Sequence, residues 1–214
     1  MIAADISSKK SASSKLDVGC GPHCLPDAVG IDMFSFAGVE HVHDVNQAPW
    51  PLESNRFEFI RCQHAIEHFS NVHNVAREMH RVCKHGALIE FITPHYSSYA
   101  SWGDPTHVHH FALGSIPILF TQAVGEGRFE IVSNELKFTG SVGDMLGWLI
   151  YKISPRKYEK KWAWISPANE IHTKVRIVKS NQQQGQIAGQ NDEAINELSN
   201  LGSARPRPFQ LDRS

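Results

Sequence analysis

The chain has 214 residues, 41% hydrophobic and 20% charged, which is ordinary for a soluble globular protein and long enough for one domain plus a tail. Its formal net charge of −1 gives no electrostatic reason to expect nucleic acid as a partner. With no run of about 18 apolar residues, and no apolar core in the first ten, neither a membrane span nor a signal peptide is expected. The four cysteines lack zinc-ligand spacing, so we expect reduced thiols in a cytoplasmic protein.

In chain order, a Ser/Lys-rich arm at residues 1–14, expected to be flexible, precedes alternating strand and helix patterns. Apolar runs predict seven strands, at residues 15–19, 28–33, 40–45, 56–62, 87–93, 128–138 and 170–179. Helical segments are predicted at residues 65–82, with a break near Ser70-Asn71, and at 114–124 and 143–162. The intervening loop 94–112 is rich in histidine, and loops of this length usually carry function. Residues 181–214 lack apolar anchors and predict a disordered tail.

The alternation of strands and helices predicts an α/β fold, a doubly wound, mostly parallel sheet with helices on both faces. One connection departs from that pattern. Only ten residues separate Gly21 from Asp32, which leaves no room for a full crossover helix. We therefore expect a loop or a single turn after the first strand.

The most informative segment is Leu16–Pro22, an apolar strand that runs into Gly19-Cys20-Gly21. Glycine lets a ligand approach the backbone, and the acid at the end of the next strand, Asp32, suits the two hydroxyls of a ribose. The pair indicates a nucleoside-bearing cofactor. A dinucleotide fingerprint would need a third glycine where this chain has Cys24, so the pattern points away from NAD.

These residues resemble the first two motifs of class I S-adenosylmethionine (SAM) dependent methyltransferases of the type 11 group. Further segments resemble the same family in the correct order, namely His43–Val45, Phe57–Phe69 and Arg81–Phe91. The shortened first connection resembles a small bacterial subgroup associated with glycan assembly. The resemblance implies a Rossmann-like domain over residues 15–180, with a seven-stranded sheet, SAM as cofactor and S-adenosylhomocysteine as product.

Carried onto this sequence, the family pattern assigns Asp32 to the ribose hydroxyls and gives Gly19 and Gly21 to the amino-acid part of SAM. Asp44 would accept from the adenine amino group, with Val45 against the ring. The remaining candidates for cofactor binding are Met33, Gln63 at the methyl-donor end, and Asp17. Asp17 either holds the cofactor's ammonium group or is a buried structural acid, and the sequence leaves both alternatives open.

Histidines near the same sheet edge supply candidates for chemistry. One hypothesis assigns a general base to the loop after the fifth strand, with His107, His109 and His110 as candidates, since histidine titrates near neutral pH. A second places a divalent metal, not favoured, at His64, Glu67 and His68, which share one helical face and resemble a Glu-x-x-Glu-His metal motif. A third makes these side chains the polar lining of an acceptor pocket.

Aromatic and basic residues alternate through the segment 145–165. This pattern favours a lid helix with a solvated basic face; the alternative is a surface that contacts a membrane or a lipid-linked substrate. For the whole chain we expect a SAM-dependent methyltransferase acting on a hydroxyl of a sugar, glycan precursor or small molecule. The alternatives are a metal-assisted O-methyltransferase and a non-catalytic SAM-fold binding or regulatory protein.

Overall fold

The structure is a computed structural model that describes residues 13–140 and 142–179. Most of the predicted arm and all of the predicted tail lie outside the described residues, and only Ser13 and Ser14 of the arm fall within them. The compact unit that carries the fold extends to Val178, and Lys179 belongs to a separate unit.

Seven strands form one sheet in the order β3-β2-β1-β4-β5-β7-β6. Neighbours from β3 to β5 are parallel, whereas β7 runs antiparallel to both β5 and β6. This arrangement confirms the predicted mostly parallel, seven-stranded α/β fold. The strands are β1 (Lys15–Val18), β2 (Val29–Asp32), β3 (His41–Val42), β4 (Phe57–Gln63), β5 (Cys83–Pro94), β6 (Phe129–Lys137) and β7 (Glu170–Ile177).

Five α-helices accompany the sheet within the described residues: α1 (Val72–Val82), α2 (Tyr99–Gly103), α3 (Ser115–Val124), α4 (Val142–Ile153) and α5 (Pro155–Lys161). The predicted break near Ser70-Asn71 is confirmed, because Asn71 caps α1 by accepting from the Asn74 amide. The segment predicted as one helix over 143–162 is two helices. Ser154 is extended and caps α5 at Pro155, and proline suits the first turn of a helix. None of the described helices has the length and apolarity of a membrane span.

The connection from β1 to β2 is fully described and contains only a short 3-10 helix, Gly21–His23, as the sequence predicted. The short loop packs directly against β2. A methyl group at Gly30 would lie 2.6 Å from both Cys24 Sγ and Gly38 O, so β2 requires glycine where the loop crosses it.

The missing crossover helix leaves the two faces of the sheet unequal. On one face Ile89 and Phe91 of β5 are buried, and the Phe91 ring meets Phe120 of α3 at 5.8 Å. Right-handed crossovers that leave β1 and β4 in opposite directions place their helices on opposite faces. The other face is therefore the one that a helix between β1 and β2 would have covered. There the cross-strand partners Glu90 and Lys174 remain partly or fully exposed and form an ion pair of 3.1 Å.

Candidate cofactor and acceptor site

A cavity of about 480 Å³ opens at the carboxyl ends of β1, β2 and β4, within the size range of small-molecule sites. The carboxyl edge of a parallel sheet is where α/β folds bind ligands, because loops from several strands converge there. Its lining combines the glycine loop, the ends of β2 and β3 and the start of the segment after β4: Gly19, Gly21, Asp32, Met33, Phe34, Phe36, Asp44, Val45, Asn46, His64, Ala65, His68, Phe69 and Thr106.

Gly19 forms the floor of the cavity, and two independent constraints require glycine there. Its φ of +64° lies in the left-handed region that side chains disfavour. A methyl group at this position would also lie 2.6 Å from Ala65 Cβ and 3.0 Å from Phe69 Cζ. The chain after β1 therefore packs tightly against the segment after β4. Gly21, with φ of +53°, has open space where its side chain would be.

Asp32 is held at the cavity wall by two backbone amides. Gly21 N donates to Oδ2 and Phe34 N donates to Oδ1, each at 2.9 Å. Each carboxylate oxygen has a further lone-pair direction after these bonds. The carboxylate is thus fixed in orientation and retains acceptor capacity on both oxygens, which matches a vicinal diol such as a ribose.

The end of β3 supplies a second fixed acid and an apolar wall. Asp44 Oδ1 accepts from both the amide and the side chain of Asn46, and the backbone bond is the main reason that the pKa of Asp44 is lowered. Val45 is buried beside it. The rings of Phe34 and Phe36 stay 59% and 39% exposed, so the cavity presents apolar surface suited to an aromatic base.

Six of the eight predicted cofactor residues line the cavity, and Asp17 and Gln63 do not. Asp17 lies beneath it, 1% exposed, in an ion pair of 2.6 Å with Arg61. The same carboxylate accepts from the Leu25 amide at 2.9 Å. These contacts favour the alternative in which Asp17 is a buried structural acid. Gln63 is exposed at the end of β4.

Several lining residues were missed in the sequence. Phe34 and Phe36 follow Asp32 within four positions, so their closeness to the acid that was predicted to bind ribose was an available signal. Phe69 and Thr106 offered no such signal. They reach the cavity through the 3-10 helix Ile66–His68 and through the loop before α3.

A carboxylate and several imidazoles lie next to the cavity, close to the segment after β4. Glu67 is 2% exposed, and its Oε2 accepts from the Thr93 hydroxyl at 3.0 Å. Its Oε1 is buried without a hydrogen-bond partner among the described residues. The nearest imidazole nitrogens are His64 Nδ1 at 3.6 Å and His107 Nε2 at 4.0 Å. The neighbouring Glu67 raises the pKa of His64 and Glu170 adds to this effect, while partial burial opposes it.

His68 lines the cavity, and a hydrogen-bonded chain sets its tautomer. Thr106 donates its one hydroxyl proton to Asp104 Oδ1 at 2.6 Å. His68 Nδ1, 2.9 Å from the same Thr106 oxygen, must therefore carry the proton and donate it there. The neutral ring then has its free lone pair at Nε2. This chain of hydrogen bonds from His68 through Thr106 to Asp104, the His68 relay, therefore leaves Nε2 available as a base or a ligand.

The three histidines predicted as general-base candidates separate in space, and none of them lines the cavity. His107 lies behind His68, with ring centroids 4.6 Å apart, and its Nδ1 donates to the Ser101 carbonyl at 3.0 Å. His109 has a buried Nε2 without a hydrogen-bond partner among the described residues. His110 points elsewhere, because its ring stacks on Trp102 at 3.6 Å.

Of the candidate metal ligands, the structure groups Glu67 and His68 with His107, which takes the place that the sequence hypothesis gave to His64. One ligand atom from each of these three residues lies within 4.8 Å of the others. Two imidazoles and a carboxylate suit transition metals such as zinc or iron better than magnesium.

Comparison with solved structures supports the fold. YcgJ protein from Bacillus subtilis is 15% identical, with a TM-score of 0.53 over 84% of this chain and 98% of its own. A SAM-dependent methyltransferase from Archaeoglobus fulgidus is 15% identical, with a TM-score of 0.54 over 82% and 90%. Phosphoethanolamine N-methyltransferase 2 from Haemonchus contortus, in complex with phosphomonomethylethanolamine and S-adenosylhomocysteine, is 10% identical, with a TM-score of 0.50 over 83% and 52%.

At these sequence identities, the similar structures show only a shared fold. The comparison with protein families establishes more, because it shows family membership. No curated protein matches the sequence significantly. The family model of the methyltransferase domain matches residues 3–176, most of the chain. SAM is the cofactor, with S-adenosylhomocysteine as its product. The chain belongs to the methyltransferase-domain family.

Proposed function

We propose that this protein is a SAM-dependent methyltransferase that methylates a hydroxyl group of a sugar, glycan precursor or other small molecule. The observation that carries the proposal is the position of His68. This imidazole lines the same cavity as Gly19 and Asp32, and the hydrogen bonds through Thr106 to Asp104 leave its Nε2 free. A base beside the methyl-donor site is what a hydroxyl acceptor requires, because its proton must leave near neutral pH.

The residues present fit the cofactor. Both carboxylate oxygens of Asp32 can accept hydrogen bonds from the ribose hydroxyls. Gly19 has no Cβ, so the amino-acid part of SAM could approach the backbone at the floor of the cavity. Phe34 and Val45 offer apolar surface to the adenine, and Asp44 offers an acceptor to its amino group. When bound, SAM supplies a methyl group on a positively charged sulfur that departs with the carbon–sulfur electron pair.

The chain's own residues orient the acceptor and remove its proton. As the acceptor oxygen is methylated, its proton would pass to His68 Nε2. Thr106 and Asp104 keep the opposite nitrogen protonated, and the Asp104 carboxylate stabilises the imidazolium that forms through the same chain. His107 remains a candidate that would act through His68, because it lies behind that ring.

A metal-assisted O-methyltransferase is the second candidate, and one observation favours it. Glu67 Oε1 is buried and has no hydrogen-bond partner among the described residues, and Glu67 belongs to the cluster with His68 and His107. An unpaired buried carboxylate oxygen is costly unless a cation or a donor satisfies it. Zinc or ferrous iron bound there would lower the pKa of an acceptor hydroxyl directly.

The experiment is a screen of hydroxyl-bearing acceptors by release of S-adenosylhomocysteine, with and without a chelator. For any active acceptor, His68→Gln is expected to lower kcat by about 10²–10⁴-fold at unchanged SAM affinity. His85→Gln, an exposed histidine at the far end of β5, is the matched control. Full activity of His68→Gln would refute the general base.

The same screen separates the remaining alternatives. The metal-assisted reaction would be selected if a chelator abolished activity, zinc or iron restored it, and Glu67→Gln was inactive. Binding of SAM without turnover on any acceptor would favour the non-catalytic binding or regulatory protein. A cytoplasmic location, which we also propose, is supported by the four cysteines, all within the described residues and none of them in a disulfide.

A further inference from the structure

Helix α4 presents its apolar side chains outward. Met145, Leu149 and Ile153 follow one another at four-residue steps and are 66%, 50% and 75% exposed. Leu146 and Trp148 flank this row and are about half exposed. Contiguous exposed apolar surface of this kind marks an interaction site rather than ordinary surface.

Contacts on the opposite side of α4 fix this orientation. Gly147 N donates to Ser166 Oγ at 3.1 Å, and a methyl group at Gly147 would lie 2.8 Å from Ser166 Cβ. One turn later the Tyr151 hydroxyl accepts from the Leu136 amide at 3.3 Å, and the Tyr151 side chain is buried. The helix cannot rotate its apolar row inward without breaking these contacts.

Basic side chains border the apolar row. Five of them are exposed in α4 and α5, and none forms an ion pair with a residue that the structure describes: Lys152, Arg156, Lys157, Lys160 and Lys161. The one acid of α5, Glu159, turns inward, where it accepts from the Leu113 amide at 2.7 Å and meets His95 at 3.3 Å. The segment is therefore strongly cationic, although the whole chain has a net charge of −1.

The apolar surface continues from α5 to the loop of the candidate acceptor site. Trp164, 65% exposed, lies 6.5 Å from Trp102 between ring centroids. Trp102, also exposed, stacks on His110. Indole rings at the edge of an apolar surface are typical of positions at the headgroup level of a bilayer.

We propose that this surface, formed by α4, α5 and Trp164, docks on an anionic lipid bilayer. The apolar row would insert at the headgroup boundary, and the five cations would meet the negative headgroups. A second copy of the chain fits less well, because a two-fold interface would bring the same cations together. The proposal is independent of the proposed function, since docking requires no methyl transfer.

The test is co-sedimentation of the full chain with vesicles of phosphatidylcholine, alone or mixed with about one third phosphatidylglycerol. We expect binding to the mixed vesicles, weakened by added salt. The double variant Leu149→Ser/Ile153→Ser should lower the partition coefficient by about tenfold or more. Lys157→Glu/Lys160→Glu should lower it by at least about 30-fold, since each cation near the surface contributes about 1 kcal/mol and the two new carboxylates are repelled.

Ile118→Ser on α3 is the matched control, because Ile118 is 57% exposed on another helix. It should bind vesicles like the unaltered chain, and circular dichroism should show every variant folded. Equal sedimentation of the unaltered chain and both double variants would overturn the proposal. Concentration-dependent dimerisation that Leu149→Ser/Ile153→Ser abolishes, without vesicle binding, would assign the surface to self-association and also overturn it.

Discussion

The Gly21 amide donates a 2.9 Å hydrogen bond to Asp32 Oδ2, joining the glycine loop after β1 to the end of β2. In many α/β folds a crossover helix separates these two elements by a long stretch of chain. Here a single 3-10 turn connects them. The candidate cofactor site is thus a compact unit whose parts constrain one another, and substitutions in it should affect both stability and ligand binding.

Gly19→Ala and Gly21→Ala should differ in cost. Both positions have positive φ, which costs about 1 kcal/mol for alanine. Only Gly19 also faces a clash, with Ala65 Cβ at 2.6 Å, so Gly19→Ala should lower the free energy of unfolding by about 2 kcal/mol more than Gly21→Ala. Urea denaturation of the two variants measures this difference. Equal losses would show that the loop does not pack on Ala65.

His64 and His41 should titrate on opposite sides of the ordinary histidine pKa of 6.5. Glu67 raises the pKa of His64, whereas burial and then Arg56 lower that of His41. A raised folded pKa stabilises the fold below pH 6.5, and this contribution disappears as pH rises through the folded value. His64→Gln should therefore lose stability relative to the unaltered chain at pH 5.5 but not at pH 8.5.

Two measurements check the histidine prediction. Thermal melts of the chain and of His64→Gln at both pH values give the stability difference, and NMR titration of the imidazole signals gives the order of the two pKa values. A titration of His64 below that of His41 would contradict the acidic environment that the structure gives His64.

The relay through Thr106 should hold His68 in the tautomer protonated at Nδ1. Thr106→Val removes the acceptor while keeping the side-chain shape, so the preference for Nδ1 protonation should disappear. Imidazole ¹⁵N chemical shifts at pH 8 report the tautomer directly. Thr121→Val, a surface threonine on α3 that donates to the Pro117 carbonyl, serves as the comparison and should leave the His68 shifts unchanged.

Gly147→Ala should destabilise the fold by about 1–3 kcal/mol, as over-packing typically does. The added methyl would meet Ser166 Cβ at 2.8 Å and the Ser166 carbonyl oxygen at 2.9 Å. Ser166→Ala in the same chain should recover only part of the loss, because the carbonyl remains. Chemical denaturation of the single and double variants decides this, and a neutral Gly147→Ala would show that α4 does not pack against Ser166.

Local patterns in the sequence predicted the strands, the family and six of the fourteen residues that line the cavity. The ten residues between Gly21 and Asp32 were enough to exclude a crossover helix, because chain length limits geometry directly. Pro155 marked the break between α4 and α5, and the prediction of one helix over 143–162 overlooked it.

Contacts between distant residues could not be predicted in this way. Asp17 and Arg61 pair across 44 positions, and no local pattern links them. The proposed acceptor site depends similarly on the contact between Thr106 and His68, which lie 38 positions apart. The sequence therefore indicated histidines near one sheet edge, but not that His68 faces the cavity while His110 stacks on Trp102.

The most direct test of the central claim is calorimetric titration of the purified chain with S-adenosylhomocysteine, alongside Asp32→Asn and the exposed control Asp27→Asn. We expect binding by the chain and by Asp27→Asn, and at least about 10–100-fold weaker binding by folded Asp32→Asn, because charge-assisted bonds to the ribose are lost. Equal binding by Asp32→Asn, or no binding by the folded, unaltered chain, would contradict the proposed cofactor site.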